Sequence, residues 1–286
     1  VAMNQFAKNI VSVYESLQKN PALEIADATS MVQPDHFYDH IVTDRQNMDQ
    51  KETLDFWRET LSNAESLVFR VRKEDANLQQ DSNLLKGEGA PIGLGSRVSK
   101  ELILDDGFWQ SIKKYCRKNR ITPAHYFKCI YGYLLNSYCG ATQDFQVMEL
   151  ALGRTMESAE TLGCFYQQIP YLMRQKVLGR EMTMKDVFTD ARSFQKEIKN
   201  YRNISGFAQA AILPPGPVTF LYNYQAYYEE VTFNGQTLNN VGLPPDVEGH
   251  VLMSVKLADD QLHLILHYYD HLFEDFDFLE RIQWVT

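Results

Sequence analysis

Apolar positions change their spacing several times along this 286-residue chain, and each change marks a predicted element. Met3, Phe6, Ile10, Val13, Tyr14 and Leu17 repeat at helical spacing, which predicts a helix from about Met3 to Lys19, ended by Asn20-Pro21. An irregular stretch to about Met48 precedes a second helix carrying Leu54, Trp57 and Leu61. Ser66 to Arg72 reads as a short strand. Lys86 to Ser96 contains Gly87, Gly89, Gly93 and Gly95, a spacing that is not the dinucleotide fingerprint and reads as a flexible connection. Arg97 to Leu104 alternates as a strand does, and Asp105-Asp106 then caps a helix over about Gly107 to Asn119. The apolar side of that helix is Phe108, Ile112, Tyr115 and Cys116.

The strongest helical period is Phe127, Ile130, Tyr131, Leu134, Leu135 and Tyr138. Phe145 to Leu152 and Ile169 to Val177 follow as strands, and Met184, Val187, Phe188, Ala191, Phe194 and Ile198 mark a long amphipathic helix. The last third is rich in strands: Pro217 to Gln225, a hairpin turning at Asn234-Gly235, then Val251 to Leu257 and Gln261 to Tyr268 joined at Asp259-Asp260. Interleaved helices and strands of this kind predict an α/β fold with helices packed on a largely β layer.

Composition narrows the functional classes. The net charge of -9 argues against nonspecific nucleic-acid binding, which requires a basic surface. No run of about eighteen apolar residues predicts a membrane span, and no secretory signal is visible. Cys116, Cys129, Cys139 and Cys164 lack the C-x-x-C spacing and read as reduced thiols in packed surroundings, so the cytoplasm is the expected compartment. Val1 is not Met, and an apolar helical period begins at once, so both ends read as cut from something longer.

Candidate chemistry is sparse. His40 with Asp44, and His271 with Asp275, form His-x-x-x-Asp strings, but neither has a second His in front or a Gly behind, which makes chance the better explanation. His263 and His267 share a strand about 13 Å apart, too far to hold one metal, and alternate with Leu262, Leu264 and Leu266 along a polar face. His36 lies in an irregular region and His125 opens a helix. No metal-ligand set and no G-x-S-x-G elbow is present, so the residues alone offer no nucleophile–base pair and no metal site. Glu149 interrupts an apolar strand and reads either as part of a solvated face or as a channel-lining acid with a shifted pKa. Arg154, after Gly153, suits a bidentate pair with a carboxylate or an ordinary surface position. Lys113, Lys114, Arg117, Lys118 and Arg120 form a basic stripe, either a solvated face or a docking site for an acidic partner.

Four stretches in a fixed order carry a family resemblance. They are ETLDFWRETLSNAE (52–65), the run from Asn119 through Cys139-Gly140 to Gly153-Arg154, LGCFYQQIPYLMR (162–174) and VTFLYNYQ (218–225). Together they resemble the condensation domain of nonribosomal peptide synthetases, with Trp57, Gly153-Arg154, Leu162-Gly163-Cys164-Phe165 and Asn223 at the corresponding positions. Gln167 and Gln168 stand where that family usually has Asn-Thr, and Met148 and Leu152 stand where it often has Gly and Ser.

The resemblance implies a chloramphenicol-acetyltransferase-like two-layer sandwich, an α/β fold of which this chain is mainly the C-terminal lobe. Residues 1–65 would be bridging helices and the inter-lobe connection, and 66–286 the lobe itself. The family's His-His-x-x-x-Asp-Gly motif is not in the sequence and is expected immediately before Val1, in an absent N-terminal lobe. No catalytic residue is therefore expected in this chain, and the fragment alone is expected to be inactive. The implied reaction joins acyl and aminoacyl thioesters, held by phosphopantetheine arms of peptidyl carrier domains, into an amide. An adenylation domain is the expected neighbour, and no directly bound cofactor is expected. Arg154 would support the active site by pairing with the motif's Asp, and Glu149, Tyr222, Asn223 and Gln167 would line the substrate channel. The alternatives on the same scaffold are a degenerate recruitment platform, an epimerisation domain and a stand-alone acyltransferase.

Overall fold

The computed structural model describes residues 2–20, 42, 46, 48–65, 67, 97–152, 166–178, 183–212, 220–225, 231–234, 236–238, 251–258, 261–269 and 278–285. The segments 66 and 68–72, 86–96, 153–165, 217–219 and 259–260, with Gly235, lie outside the described residues. So do His36, His40, Asp44, His271 and Asp275. The chain divides into two compact units. One comprises Val1–Met48, Leu152–Gln167 and Tyr227–Val247, and the other Asp49–Ala151, Gln168–Ala226 and Glu248–Thr286.

In the first unit, helix α1 spans Ala2–Lys19 as its apolar period predicts. Strands β5 (Val231–Phe233) and β6 (Gln236–Leu238) pair antiparallel around Asn234, whose φ of 49° is the left-handed conformation that the turn requires.

The second unit is built on a six-stranded sheet ordered β1-β8-β7-β4-β2-β3. The strands are β1 (Arg97–Leu104), β2 (Phe145–Leu152), β3 (Tyr166–Met173), β4 (Phe220–Gln225), β7 (Val251–Ala258) and β8 (Gln261–Tyr269). β2, β4 and β7 run parallel, while β8 pairs antiparallel with β7 and β1. Pro170 sits within β3, where the missing N–H is tolerated because that strand is an edge. β3 begins three residues before the predicted strand and stops four residues short of Val177. The chain leaves the sheet because Arg174 turns to bridge Asp190 (3.1 Å) and Glu197 (2.9 Å), and the Gln175 N–H donates to Asp144 at 2.8 Å.

The helices of this unit are α2 (Lys51–Leu61), α3 (Asp106–Asn119), α4 (Pro123–Cys139), α5 (Gln175–Leu178), α6 (Met184–Glu197), α7 (Gly206–Ile212) and α8 (Phe278–Val285). Their starts are written locally. Asp105 accepts the Phe108 N–H, Thr122 accepts that of His125, and Thr183 and Asp186 form a reciprocal capping box. On α3 the buried residues are Trp109, Ile112 and Cys116; Tyr115, expected on the apolar side, is 40% exposed. Neither α7 nor α8 is predicted by the sequence pattern, because each is too short to display a full period. No described helix is long and apolar enough to cross a membrane.

Helix α4 is buried almost all round. It lies over β4, β2 and β3, where Tyr131 approaches Tyr222, Lys128 meets Glu149, and Gly132 meets Met173. A side chain at Gly132 would collide with the Met173 thioether. Gly132→Ala gains about 1 kcal/mol of helix propensity but overpacks a buried contact, which costs about 1–3 kcal/mol. Urea unfolding is expected to show net destabilisation of about 1 kcal/mol, largely absent when the same change is made in a Met173→Ala background.

Candidate functional site

Successive residues of a strand face opposite ways, and residues paired across strands share a face. The printed register therefore divides the sheet. One face carries Val147, Glu149 and Ala151, Phe220 and Tyr222, Val251, Met253 and Val255, and Leu262, Leu264, Leu266 and Tyr268. Apart from Glu149, all of these belong to the hydrophobic core beneath the helices. The opposite face carries Met148, Leu150, Leu221, Asn223, Gln225, Leu252, Ser254, Lys256, His263, Ile265 and His267.

The sequence-selected residues separate along this division. Glu149 and Tyr222 are register partners on the helix-covered face, and Asn223 is half-buried on the other. Tyr222 is fully buried and its hydroxyl donates to the Ala124 carbonyl at 2.6 Å, which makes it a wall of the core rather than the lining of an open passage. Gln167 is half-buried near the start of β3 and belongs to the first compact unit. Arg154 and the Gly163-x-Phe165 turn lie outside the described residues. The basic stripe on α3 is mostly exposed, with Lys114, Arg117, Lys118 and Arg120 turned to solvent.

Glu149 is not on a solvated face. Its Oε2 accepts from the Lys128 ammonium at 2.8 Å, with the two side chains 17% and 1% exposed. The Lys128 ammonium also stands 3.8 Å from the centre of the Tyr171 ring, a cation–π contact in a nearly dry setting. Lys128 falls outside the apolar stripe that predicts α4, so helical periodicity alone does not select it. The available signal was that the only Lys, Arg, Asp or Glu of α4 and the only one of β2 have opposite signs.

His125, at the start of α4, joins this cluster. Its Nδ1 lies 2.7 Å from the Thr122 hydroxyl, while Nε2 is buried without a hydrogen-bond partner. The Gln195 side chain stands close enough to favour the charged ring, yet its Oε1 is also buried and unpartnered. Burial lowers the His125 pKa and the Lys128 charge lowers it further, and Gln195 and Glu149 only partly offset the two. Burial alone would raise the Glu149 pKa, but the charge and hydrogen bond of Lys128, with His125 and Arg202 behind them, hold it below its usual value. Burial pushes the Cys116 thiol up to about 11 and those of Cys129 and Cys139 up to about 12, which makes all three poor nucleophiles. No group of acidic, His and Cys side chains suited to a metal occurs among the described residues.

This arrangement ties α4 to β2 by charge and makes stability depend on pH. Both shifted groups have folded pKa values below their unfolded ones, so both contribute stability that is lost as pH falls. The His125 contribution is complete above about 6.5 and declines below it, and that of Glu149 is complete above about 4.3 and declines further down. Urea unfolding between pH 7 and pH 3.5 is expected to show both declines, the upper one removed by His125→Asn. At pH 7, Lys128→Met is expected to cost about 3 kcal/mol by leaving the carboxylate unpaired. Lys128→Met with Glu149→Gln is expected to recover much of that loss; full additivity of the two changes would rule out the coupling.

No protein-family model matches the chain, and no curated protein does. Among solved structures, it is similar to the first condensation domain of the calcium-dependent antibiotic synthetase in complex with a substrate analogue. That match has TM-score 0.66 and 12% identity, over 99% of this chain and 59% of the other. The condensation domain of the monacolin K polyketide synthase MokA matches with TM-score 0.64 and 15% identity, over 98% of this chain and 65% of that one. The EpoB cyclization-docking bidomain from Sorangium cellulosum matches with TM-score 0.65 and 12% identity, over 99% and 57%. The chain thus spans less than two thirds of each of these structures. The helical layer on a six-stranded mixed sheet is accordingly a condensation-domain-like fold.

Proposed function

We propose that this chain is part of a condensation domain that forms an amide between acyl and aminoacyl thioesters held on carrier domains. The observation that carries this reading is the fold likeness to condensation domains, which runs over nearly the whole chain. In the proposed reaction the acceptor amine attacks the thioester carbonyl, the C–N bond forms, the C–S bond breaks, and the amine proton passes to the departing thiolate. Orientation of the two arms supplies much of the rate, and an imidazole near the amine relays the proton.

The sequence contains no His-His-x-x-x-Asp-Gly motif, so on this reading the imidazole comes from polypeptide outside these 286 residues. Residues 66–286 then serve as the C-terminal lobe and 1–65 as the bridge. Peptidyl carrier domains deliver both substrates on phosphopantetheine arms, and an adenylation domain loads them. Arg154 pairs with the motif's Asp and holds the active site in shape. Of the channel candidates, Asn223 and Gln167 have half-buried side chains that could touch substrate, while Glu149 and Tyr222 hold the framework behind them.

The test uses the complete protein containing this chain, with donor and acceptor carriers loaded. An amide product with unchanged stereochemistry is expected. Product with an inverted centre would instead mark an epimerisation domain, and no product from loaded carriers would mark a recruitment platform. In the same protein, Arg154→Ala is expected to lower Tm by roughly 5–10 °C, from about 3 kcal/mol lost with an Arg–Asp pair. The ratio of products from two competing acceptors should stay unchanged. A stably folded variant with altered acceptor choice would contradict the structural role.

A further inference from the structure

The outer side of α3 carries a charge that its surroundings do not answer. The chain has a net charge of -9, yet Lys113, Lys114, Arg117, Lys118 and Arg120 crowd the second half of this helix and its cap. Lys113 is half-buried, with its ammonium 5.2 Å from the centre of the Trp109 ring. Lys114, Arg117, Lys118 and Arg120 are exposed, and among the described residues no ion pair or hydrogen bond engages their side chains. The carboxylates of α3 and α6 are already engaged. Asp105 and Asp106, at the other end of α3, accept from the Phe108 N–H and the Gln110 amide. On α6, whose Phe188 touches Tyr115, Asp186 caps its own helix, and Asp190 and Glu197 hold Arg174.

Local stability does not call for this arrangement. Lys113 and Arg117, like Lys114 and Lys118, are equal charges four residues apart on a helix, and such pairs repel. A helix C-terminus favours cations within its last turn, which accounts for Arg117 and Lys118 but not for Lys113 or Lys114. Arg120 follows the helix in the left-handed conformation, with φ 54°, where a side chain is disfavoured and Gly is the usual residue. At the same place after α4 the chain does use Gly, with Gly140 at φ 64°. Tyr115 stands beside the exposed cations. It is 40% exposed, and Tyr126 and Phe188 meet its ring edge-on at 5.9 and 6.0 Å. A fixed, partly open Tyr next to Arg has the composition of the few residues that dominate protein interfaces.

We propose that this side of α3 docks an acidic helix of a protein partner. Lys114 and Lys118 lie about 6 Å apart along the helix axis, and carboxylates four residues apart on a second helix repeat at the same rise. Two helices laid side by side therefore pair these charges in register, with Tyr115 against the partner's apolar edge and Arg117 and Arg120 reaching carboxylates to either side. A nucleic acid or an anionic membrane extends past the stripe and meets the negative charge of the rest of the chain. A short acidic helix meets mainly the stripe, because charges beyond about 10 Å are screened at 0.1 M salt. Docking here does not depend on whether the chain transfers acyl groups.

The probe is a fluorescent synthetic peptide of about 20 residues, long enough to be helical in isolation, with Glu four residues apart along one face and Ala elsewhere. Its counterpart carries Gln for each Glu. Each is titrated with the full chain at about 0.15 M salt and followed by anisotropy. The Glu peptide is expected to bind saturably and the Gln peptide about fivefold more weakly or not at all. Lys114→Gln with Lys118→Gln should weaken binding of the Glu peptide about fivefold, since two exposed pairs are lost. Lys51→Gln with Lys199→Gln removes the same charge from other exposed positions and should leave it unchanged. Arg120→Gly should weaken binding about twofold without lowering Tm, because it relieves the left-handed side chain. Should the α3 double variant fail to fold, as judged by circular dichroism, Lys114→Glu takes its place. The proposal is overturned if the Glu and Gln peptides bind alike, or if the two double variants weaken binding equally. It is also overturned if the chain sediments with vesicles containing phosphatidylserine while leaving the Glu peptide free, which would make the stripe a membrane contact.

Discussion

A lysine with 0% of its surface exposed constrains everything packed around it. In the core the Lys128 ammonium is met by Glu149, which reaches it from β2, and by the face of the Tyr171 ring. An ammonium so placed tolerates little displacement, since moving α4 along the sheet would strand a charge away from water. Apolar contacts between α4 and the sheet would tolerate several registers, because Leu, Ile and Tyr side chains repack at modest cost. The ion pair selects one. It also fixes the face of β2, because a one-residue slip would carry Glu149 to the opposite side of the sheet.

From that face assignment the rest of the sheet follows. With Glu149 toward the helices, its register partner Tyr222 faces them too, and so do Met253 and Leu266. The alternate residues form a second surface of different chemistry. Met148, Leu221 and Leu252 on that surface are buried, yet they stand outside the hydrophobic cluster under the helices. The sheet is thus covered on both faces along its middle, and the polar residues of the second surface lie on β4, β7 and β8. This explains why β7 reads as a nearly continuous apolar run while β8 alternates in burial, with Leu262, Leu264 and Leu266 buried between half-buried His263, Ile265 and His267.

Much of this architecture is legible without coordinates. Phe145–Leu152 begins and ends where its pattern predicts, and the helix caps at Asp105 and Thr183 are local signals that need no distant partner. Misreadings occur where a distant residue decides. Ile169 to Val177 looks like one strand, but Asp190 and Glu197 on α6 draw Arg174 out of it. Trp109 displaces Tyr115 from the buried side of α3, a choice made by what lies beneath and not by spacing. Lys128 interrupts no period, and Glu149, its partner, is 21 residues further along. Of the residues selected for chemistry, Glu149 was marked by its charge, but whether it faces solvent, helix or channel is settled only by the register of β4.

The likeness to condensation domains and the chemistry of this chain lie on different levels of the same molecule. A fold persists at 12–15% identity because periodic burial and strand register are shared by many sequences. A site does not persist in that way, because it is made of single atoms. Replacing Asn223 or Lys256 by a leucine would suit the sheet at least as well, since an apolar side chain on a covered face needs no partner. The N and O atoms of both side chains keep contact with water, so their identity is set neither by packing nor by an unmet hydrogen bond.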